Sequence, residues 1–573
     1  MPEIYMKLFI VLMMGVAVLQ GEPFAQSIRK IHAYFIIDDP LAAKKEIESA
    51  LAIYPEKTAL KDLYVTALAR LGDTKKALEE YRLLPSQNDA LLEEIAWSEL
   101  EKAHRSSQYA IRLHAMIGAY FANDRKSVAL LLQGMDDSNA ILRSIAIQLA
   151  SNYKDGALKK KIQRKLHQES NWLVRSELIK AIGKMQIQQE AKYLQELLEN
   201  PRTTFEEKHL AIQSLVQLYE GVDKKQIQQL SQSPKVELRL LACALCEYWE
   251  KKEGKKEILS LLQDPKAKVR IAAIKALVYV WKDLSKKEAD DCIQPLLEDV
   301  HPAVAITACW ALSLFDSPSG LDHLEEALLS SSKDRRRFAS AAIQSLGAKG
   351  VVLAKKYIDQ TFDPYVKVHL AAALIGQREE VPKAADALYS FFMKKTELWD
   401  YGSCSHLPFS MFHASKAPYI PQVANYPDVL DSIAQLKLLS FLAAVQDPRA
   451  KEAMQAFLQK KAWGISSFAA SLLLKEEGET ANALIQDLLD SNEDALQLQA
   501  AMVLAFIGKE KRGKDVLKKA YFAQTHERKK QILDALGQVM KKQEAPFFLE
   551  ALEEPFAILR VSAASALLRA LQR

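Results

Sequence analysis

The sequence predicts an all-α fold of stacked helix pairs, interrupted once by an irregular, aromatic-rich insertion. Three observations carry this. Turn formers are scarce: Gly is 19 and Pro 20 of 573 residues, below the usual ~7% and ~5%, which argues against a β-rich fold with many tight turns. Similar segments recur at a nearly fixed step; Arg143 and Arg175 hold one shared position 32 residues apart. Within each segment the apolar residues follow helical spacing. The length implies several domains at ~150 residues each. Hydrophobic residues at 49% and charged residues at 26% exclude a wholly disordered chain. With 77 basic against 72 acidic residues, the net charge of +5 is too small to mark a nucleic-acid binder.

Residues 1–21 read as an address. Lys7 precedes the apolar run Leu8–Leu19 (LFIVLMMGVAVL), and polar residues follow from Gln20. This is the pattern of a secretory signal peptide, and the run is shorter than the ~20 residues a membrane-spanning helix needs. The mature chain is expected to begin near Glu22, in the periplasm, the cell envelope or outside a bacterial cell.

Residues 22–104 follow. Leu68–Leu84 (LARLGDTKKALEEYRLL) places Leu-Gly-Asp at a helix–helix turn, with Ala77 and Tyr81 four residues apart on the next helix. Asp39-Pro40 through Tyr54-Pro55 reads as the end of a preceding helix pair. These residues resemble about one and a half tetratricopeptide repeats.

Residues 105–394 form the main array. DPKAKVRIAAIKAL (Asp264–Leu277) matches DPYVKVHLAAAL (Asp363–Leu374), and SPKVELRLLACAL (Ser233–Leu245) and HPAVAITACWAL (His301–Leu312) follow the same grammar. A polar residue and Pro close one helix and open the next. A shared basic position then falls at Arg143, Arg175, Arg239, Arg270, His369 and Arg560. Small residues such as Ala272, Ala273 and Ala276 let neighbours approach closely. A single pair cannot bury its own apolar face, so pairs must stack. The pattern resembles HEAT repeats of the short, Ala-rich kind found in phycobilisome-lyase-type proteins. That resemblance implies a right-handed α–α superhelix, and it extends more weakly over residues 430–573, where Glu550–Arg573 is expected to cap the array.

The helical period fails in residues 395–429. The stretch from Thr396 to Asp428 holds four prolines and the aromatics Trp399, Tyr401, Phe409, Phe412, Tyr419 and Tyr426. Disordered segments are poor in aromatics, so an ordered insertion packed on the array is expected, either as a partner contact or as a plug between two half-arrays. Trp249, Trp281 and Trp310 lie near the second helices of three successive units. On an exposed face, Trp281 and Trp310 would serve as further partner anchors; otherwise they fill inter-helix core.

The chemistry-bearing residues are few. Cys404, His406 and His413 fall in the insertion and could bind a metal or form a nucleophile–base pair, but no fourth ligand is evident. Cys243 and Cys246 have C-x-x-C spacing inside an Ala-rich helix, where free Cys usually fills core space. The five cysteines, odd in number and widely spaced, make no disulfide framework. No phosphate-binding loop, zinc-protease helix or nucleophile elbow occurs. The expected function is therefore a non-catalytic scaffold or adaptor, exported and monomeric, without cofactor or metal. It would bind a protein partner on its concave face. Two alternatives remain: an enzyme or small-ligand protein with its site in the insertion, and a cytoplasmic nucleic-acid binder.

Overall fold

The computed structural model describes residues 23–85, 88–219, 223–394, 397–403, 407–415, 426–460, 488–506 and 512–573. The signal-peptide segment, Cys404, His406 and Tyr419 lie outside these residues, as does the side chain of Tyr426. The described chain is all-α apart from one β-hairpin. It divides into two compact units, residues 1–158 with 508–573, and residues 159–507.

The first unit begins with α1 (Pro23–Ile36), α2 (Pro40–Ile53), α3 (Thr58–Arg70) and α4 (Thr74–Arg82). Asp39 caps α2 through the Ala42 N–H, with Pro40 in the first turn. Gly72, at φ +76°, makes the left-handed turn between α3 and α4, and Asp73 then caps α4. Ala77 and Tyr81 both face the core. The chain continues through α5 (Asp89–His104), α6 (Tyr109–Ala122), α7 (Arg125–Gly134) and α8 (Ala140–Ala150).

The same unit takes its remaining helices from the far end of the sequence: α27 (Arg512–Tyr521), α28 (His526–Val539), α29 (Ala545–Ala551) and α30 (Ala557–Leu571). Helix α30 is enclosed by α28 on one side and by α5 and α6 on another. A terminal cap should keep one polar face in water. Here Leu559, Val561, Ala563, Ala566, Leu567 and Ala570 are all buried, and so is Arg569, because the amino-terminal helices cover the face that a cap would expose. The backbones come close: a Cβ on Gly118 of α6 would lie 3.0 Å from the Cβ of Ser565. Buried in the seam, Glu99 accepts from Arg560 Nε at 2.9 Å and from Thr74 Oγ1 at 2.6 Å.

The second unit stacks helix pairs. The first helices are α9 (Gly156–Leu166), α11 (Ala191–Glu199), α13 (Lys224–Ser231), α15 (Lys255–Leu261), α17 (Lys286–Ile293), α19 (Pro318–Leu328) and α21 (Val351–Tyr357). The second helices are α10 (Trp172–Lys184), α12 (Phe205–Leu218), α14 (Val236–Tyr248), α16 (Ala267–Val280), α18 (Pro302–Leu314), α20 (Lys333–Ser345) and α22 (Pro364–Gly376). Each second helix packs directly on the next, from α10 to α22, forming one continuous layer. After α23 (Val381–Lys394) come the strands β1 (Trp399–Ser403) and β2 (Ser410–Ala414), then α24 (Tyr426–Ala444), α25 (Arg449–Lys460) and α26 (Asp494–Phe506).

The shared basic position ties one repeat to the next. Arg239 reaches back to the Ser233 and Pro234 carbonyls and forward, in bidentate fashion, to Asp264. Asp264 also accepts the Lys266 N–H, closing the turn before α16. Arg270 repeats this with Asp299, and Arg112 with Asp137. Each carboxylate thus fixes a turn and holds the preceding repeat. Such pairs are planar and charge-assisted, which suits Arg over Lys.

Candidate functional site

The insertion is not irregular throughout. Trp399–Ser403 pairs antiparallel with Ser410–Ala414, Trp399 opposite Ala414 and Ser403 opposite Ser410. Two buried polar side chains seat this hairpin. Asp431 on α24 accepts the Trp399 N–H at 2.9 Å. His369 on α22 accepts the Phe412 N–H at Nε2 (2.8 Å), while its Nδ1 lies 3.0 Å from Ser340 Oγ. His369 occupies the position held by Arg in other repeats, yet it is no cation. Burial lowers its pKa to about 3, with the nearby Arg337 and His413 adding to the effect, so the ring is neutral and free to accept. Complete enclosure by the hairpin leaves no room for a solvated charge.

The described aromatic side chains of the insertion, Trp399, Tyr401, Phe409 and Phe412, turn inward. Trp399 stacks on Phe391 at 3.9 Å between ring centroids, and Tyr401 lies 4.6 Å from Phe412. Phe409 sits 6.1 Å from Trp310 on α18. Trp399, Phe409 and Phe412 are buried and Tyr401 is half-buried. From Phe412 at α22, the chain therefore crosses the layer of second helices to Phe409 at α18. It reaches α14 and α16 at Leu407. Where an open contact face was one expectation, the described part of the insertion is a strap with Trp399, Phe409 and Phe412 spent on the repeat layer.

Trp281 and Trp310 of the array are internal as well, whereas Trp172 at the start of α10 is 68% exposed. Trp281 and Trp310 are each 4% exposed. Trp281 Nε1 donates to the Lys252 carbonyl at 3.3 Å, and Trp249 Nε1 to that of Val216 at 3.1 Å. Trp249 and Trp281 staple adjacent repeats, and Trp310 packs against Tyr279 and Phe409; burial removes Trp281 and Trp310 as partner anchors. Cys243 and Cys246 are buried in the α14 core; burial pushes the Cys243 thiol well up and that of Cys246 to about 12. His413 Nδ1 lies 3.1 Å from the Ala414 carbonyl. Among the described residues, no three His, Cys, Asp or Glu side chains converge as a metal site.

What the strap leaves open is a groove across α12, α14 and α16. A cavity of about 270 Å³ is lined by Phe205, His209, Ile212, Leu240, Ile271, Ala272 and Leu407, among others. Phe205, the first residue of α12, is 51% exposed, with Lys268 Nζ 5.1 Å from its ring centroid. The charges around it are engaged, three lysines with two glutamates: Lys208 and Lys268 each lie 3.8 Å from Glu237, and Lys275 pairs with Glu247 at 2.9 Å. Such a surface offers apolar contact with an ion-paired polar rim, the composition of a protein-binding patch. Phe205 carried one overlooked signal: it sits inside the Thr204–Glu207 capping box, which fixes a large aromatic at a helix start beside solvent.

Sequence comparison places the HEAT repeat family on residues 100–216 and 278–347. Over those two stretches the chain is similar to HEAT repeats. The first stretch runs from α5 to α12 and the second from α16 to α20. No curated protein sequence matches the chain. Among solved structures, the karyopherin Kap121p bound to the extreme C-terminus of the phosphatase Cdc14p is 11% identical. That match covers 92% of this chain and 77% of that one, at a TM-score of 0.30. The UNC-45 chaperone is 12% identical over 90% of this chain and 71% of its own, at 0.31. The CpcE–CpcF phycocyanin lyase of a Nostoc species is 14% identical over 53% and 93%, at 0.19. These TM-scores are too low to carry an argument. The helical-repeat architecture rests on the HEAT match and on the helix pairs themselves.

Proposed function

We propose that this protein is an exported, non-catalytic scaffold that binds a protein partner in the groove across α12, α14 and α16. The half-exposed Phe205, flanked by paired charges and walled by Leu407, carries the reading. An exposed aromatic in a concave setting is the usual anchor of an interface. Each of the three lysines already has a glutamate within 4 Å, which favours a protein over nucleic acid, whose binding needs uncompensated cations. The buried thiols of Cys243, Cys246 and Cys309, the last also pushed up to about 12, are protonated and unsuited to nucleophilic work. Export rests on the apolar run Leu8–Leu19 and predicts a mature mass about 2 kDa below that of the full chain. A monomer fits α30, whose apolar faces are used within its own unit.

The test is site-specific crosslinking in the native cell. A photoreactive phenylalanine analogue at position 205 is expected to give a discrete protein adduct. The same group at Val352, exposed on α21, should give none, and Lys268→Glu should weaken the adduct at 205. Equal labelling from both positions, or no adduct at 205, would sink the proposal.

A further inference from the structure

One helix holds as much charge as the whole chain has in surplus. The sequence of α9, GALKKKIQRKL, contains five cations and no acid, against a net charge of +5 for all 573 residues. Ile162 and Leu166 bury its inner side, while Lys160 and Arg164, one helical turn apart, are exposed and Lys159 is half-buried at the flank. Lys161 and Lys165 are engaged. Lys159, Lys160 and Arg164 have no ion-pair partner among the described residues. The carboxylate that reaches α9 from the next repeat is already used: buried Glu190 accepts from Gln163 Nε2 at 2.8 Å and lies 2.8 Å from His167 Nε2. On α11, Lys192, Glu196 and Glu199 are exposed; counted together with Lys159, Lys160 and Arg164, they still leave this face positive. The turn after α9 ends at Trp172, the first residue of α10, which stands 68% exposed. Glu169, in that turn, is occupied by the Asn171 N–H at 3.0 Å. Helix α9 belongs to the layer of first helices, whereas the strap crosses the layer of second helices.

We propose that the outer face of α9 docks on an anionic lipid bilayer, with Lys159, Lys160 and Arg164 against the headgroup phosphates and Trp172 seated at headgroup level. The cations supply the charge complementarity, since basic residues on a helix face are drawn to the negative potential of such a surface. Trp172 selects lipid among the possible polyanions: an exposed indole beside a basic helix face has an apolar body and a polar N–H, which suit the membrane interface. Contact stays at the surface, because no described helix is long and apolar enough to cross a membrane. The site shares no residue with the groove at Phe205, so either can fail without the other.

The test is co-sedimentation of the protein with vesicles of phosphatidylcholine alone, or of phosphatidylcholine with one third phosphatidylglycerol. The apolar run Leu8–Leu19, where retained, is the same in wild type and variants, so their difference reads α9. Wild type should bind the anionic vesicles and lose them as salt is raised. The double variant K160E/R164E should bind them roughly tenfold or more weakly, and K160Q/R164Q should lie between. Brominated lipid in the anionic vesicles should quench tryptophan fluorescence in wild type and much less in Trp172→Phe. These are surface positions, and an unchanged thermal transition checks that the variants fold. Equal binding to neutral vesicles, no binding, or binding indifferent to K160E/R164E would overturn the proposal. So would quenching that survives Trp172→Phe, release by soluble glycerol phosphate, which would assign the face to a free phosphate ester, or tighter binding to duplex DNA at the same salt, which would assign it to nucleic acid.

Discussion

Asp264 shows how much one side chain can carry. It receives both arms of Arg239 and the Lys266 N–H, and it is almost wholly buried. Asp264→Ala should strand the guanidinium and open the turn before α16, costing about 3 kcal/mol in denaturant unfolding; a loss under ~0.5 kcal/mol would mean that the ladder contributes only geometry. Ala273 is fully buried on α16. Ala273→Leu should overpack the layer by ~1–3 kcal/mol, read as a lowered melting transition. Cys243, Cys246 and Cys309 should resist iodoacetamide in the native protein and react only after denaturation, as peptide mass mapping would show, because burial raises all three thiols. The core role of Cys243 and Cys246 was legible from the Ala-rich helix around them. The forward reach of Arg239 to the next repeat was not, since a local segment says nothing of the carboxylate 25 residues on.

At the scale of elements, the helix pairs were open to sequence reading because capping residues, prolines and small-residue stripes recur in register. The hairpin was not. Its strands are five residues each, too short for alternation to stand out, and their burial depends on partners far away in sequence, His369 and Asp431. The clue was His369 itself, a residue unlike Arg at the repeat's basic position. It sets a pH dependence. The folded pKa of about 3 lies below the ~6.5 of an unfolded histidine, so the folded state binds fewer protons between these values. The hairpin's stability is then full above about pH 6.5 and declines as pH falls toward 3. Trp399 fluorescence and limited proteolysis should report release of the strap at acidic pH. His369→Gln, which can still accept the Phe412 N–H, should flatten that dependence; an unaltered acid transition would show that other groups govern it. The groove at Phe205 escaped sequence reading for a related reason: exposure is a property of the stack, and it marked Phe205 while removing Trp281 and Trp310.

For the molecule as a whole, the first unit is made of two stretches widely separated along the chain. Glu99 and Arg560 lock them, with Arg82–Glu553 at 2.5 Å and Lys542–Asp89 alongside. Glu99→Gln should leave Arg560 half-enclosed without its carboxylate and cost the unit about 2 kcal/mol. Deleting residues 512–573 should uncover the α5–α6 face and raise hydrogen exchange there while sparing residues 172–376; uniform protection after the deletion would show that the amino-terminal helices are complete without the seam. This arrangement also sets an order of events on the ribosome. From Ala150, the end of α8, to Arg512, the start of α27, is 362 residues, roughly 20–70 s of synthesis at ~5–20 residues per second. Throughout that interval the first helices to emerge hold an apolar face with no mate, while the repeats translated after them can already stack. The part of the protein made first is the part finished last, and a chaperone that covers the α5–α6 face would act in that window.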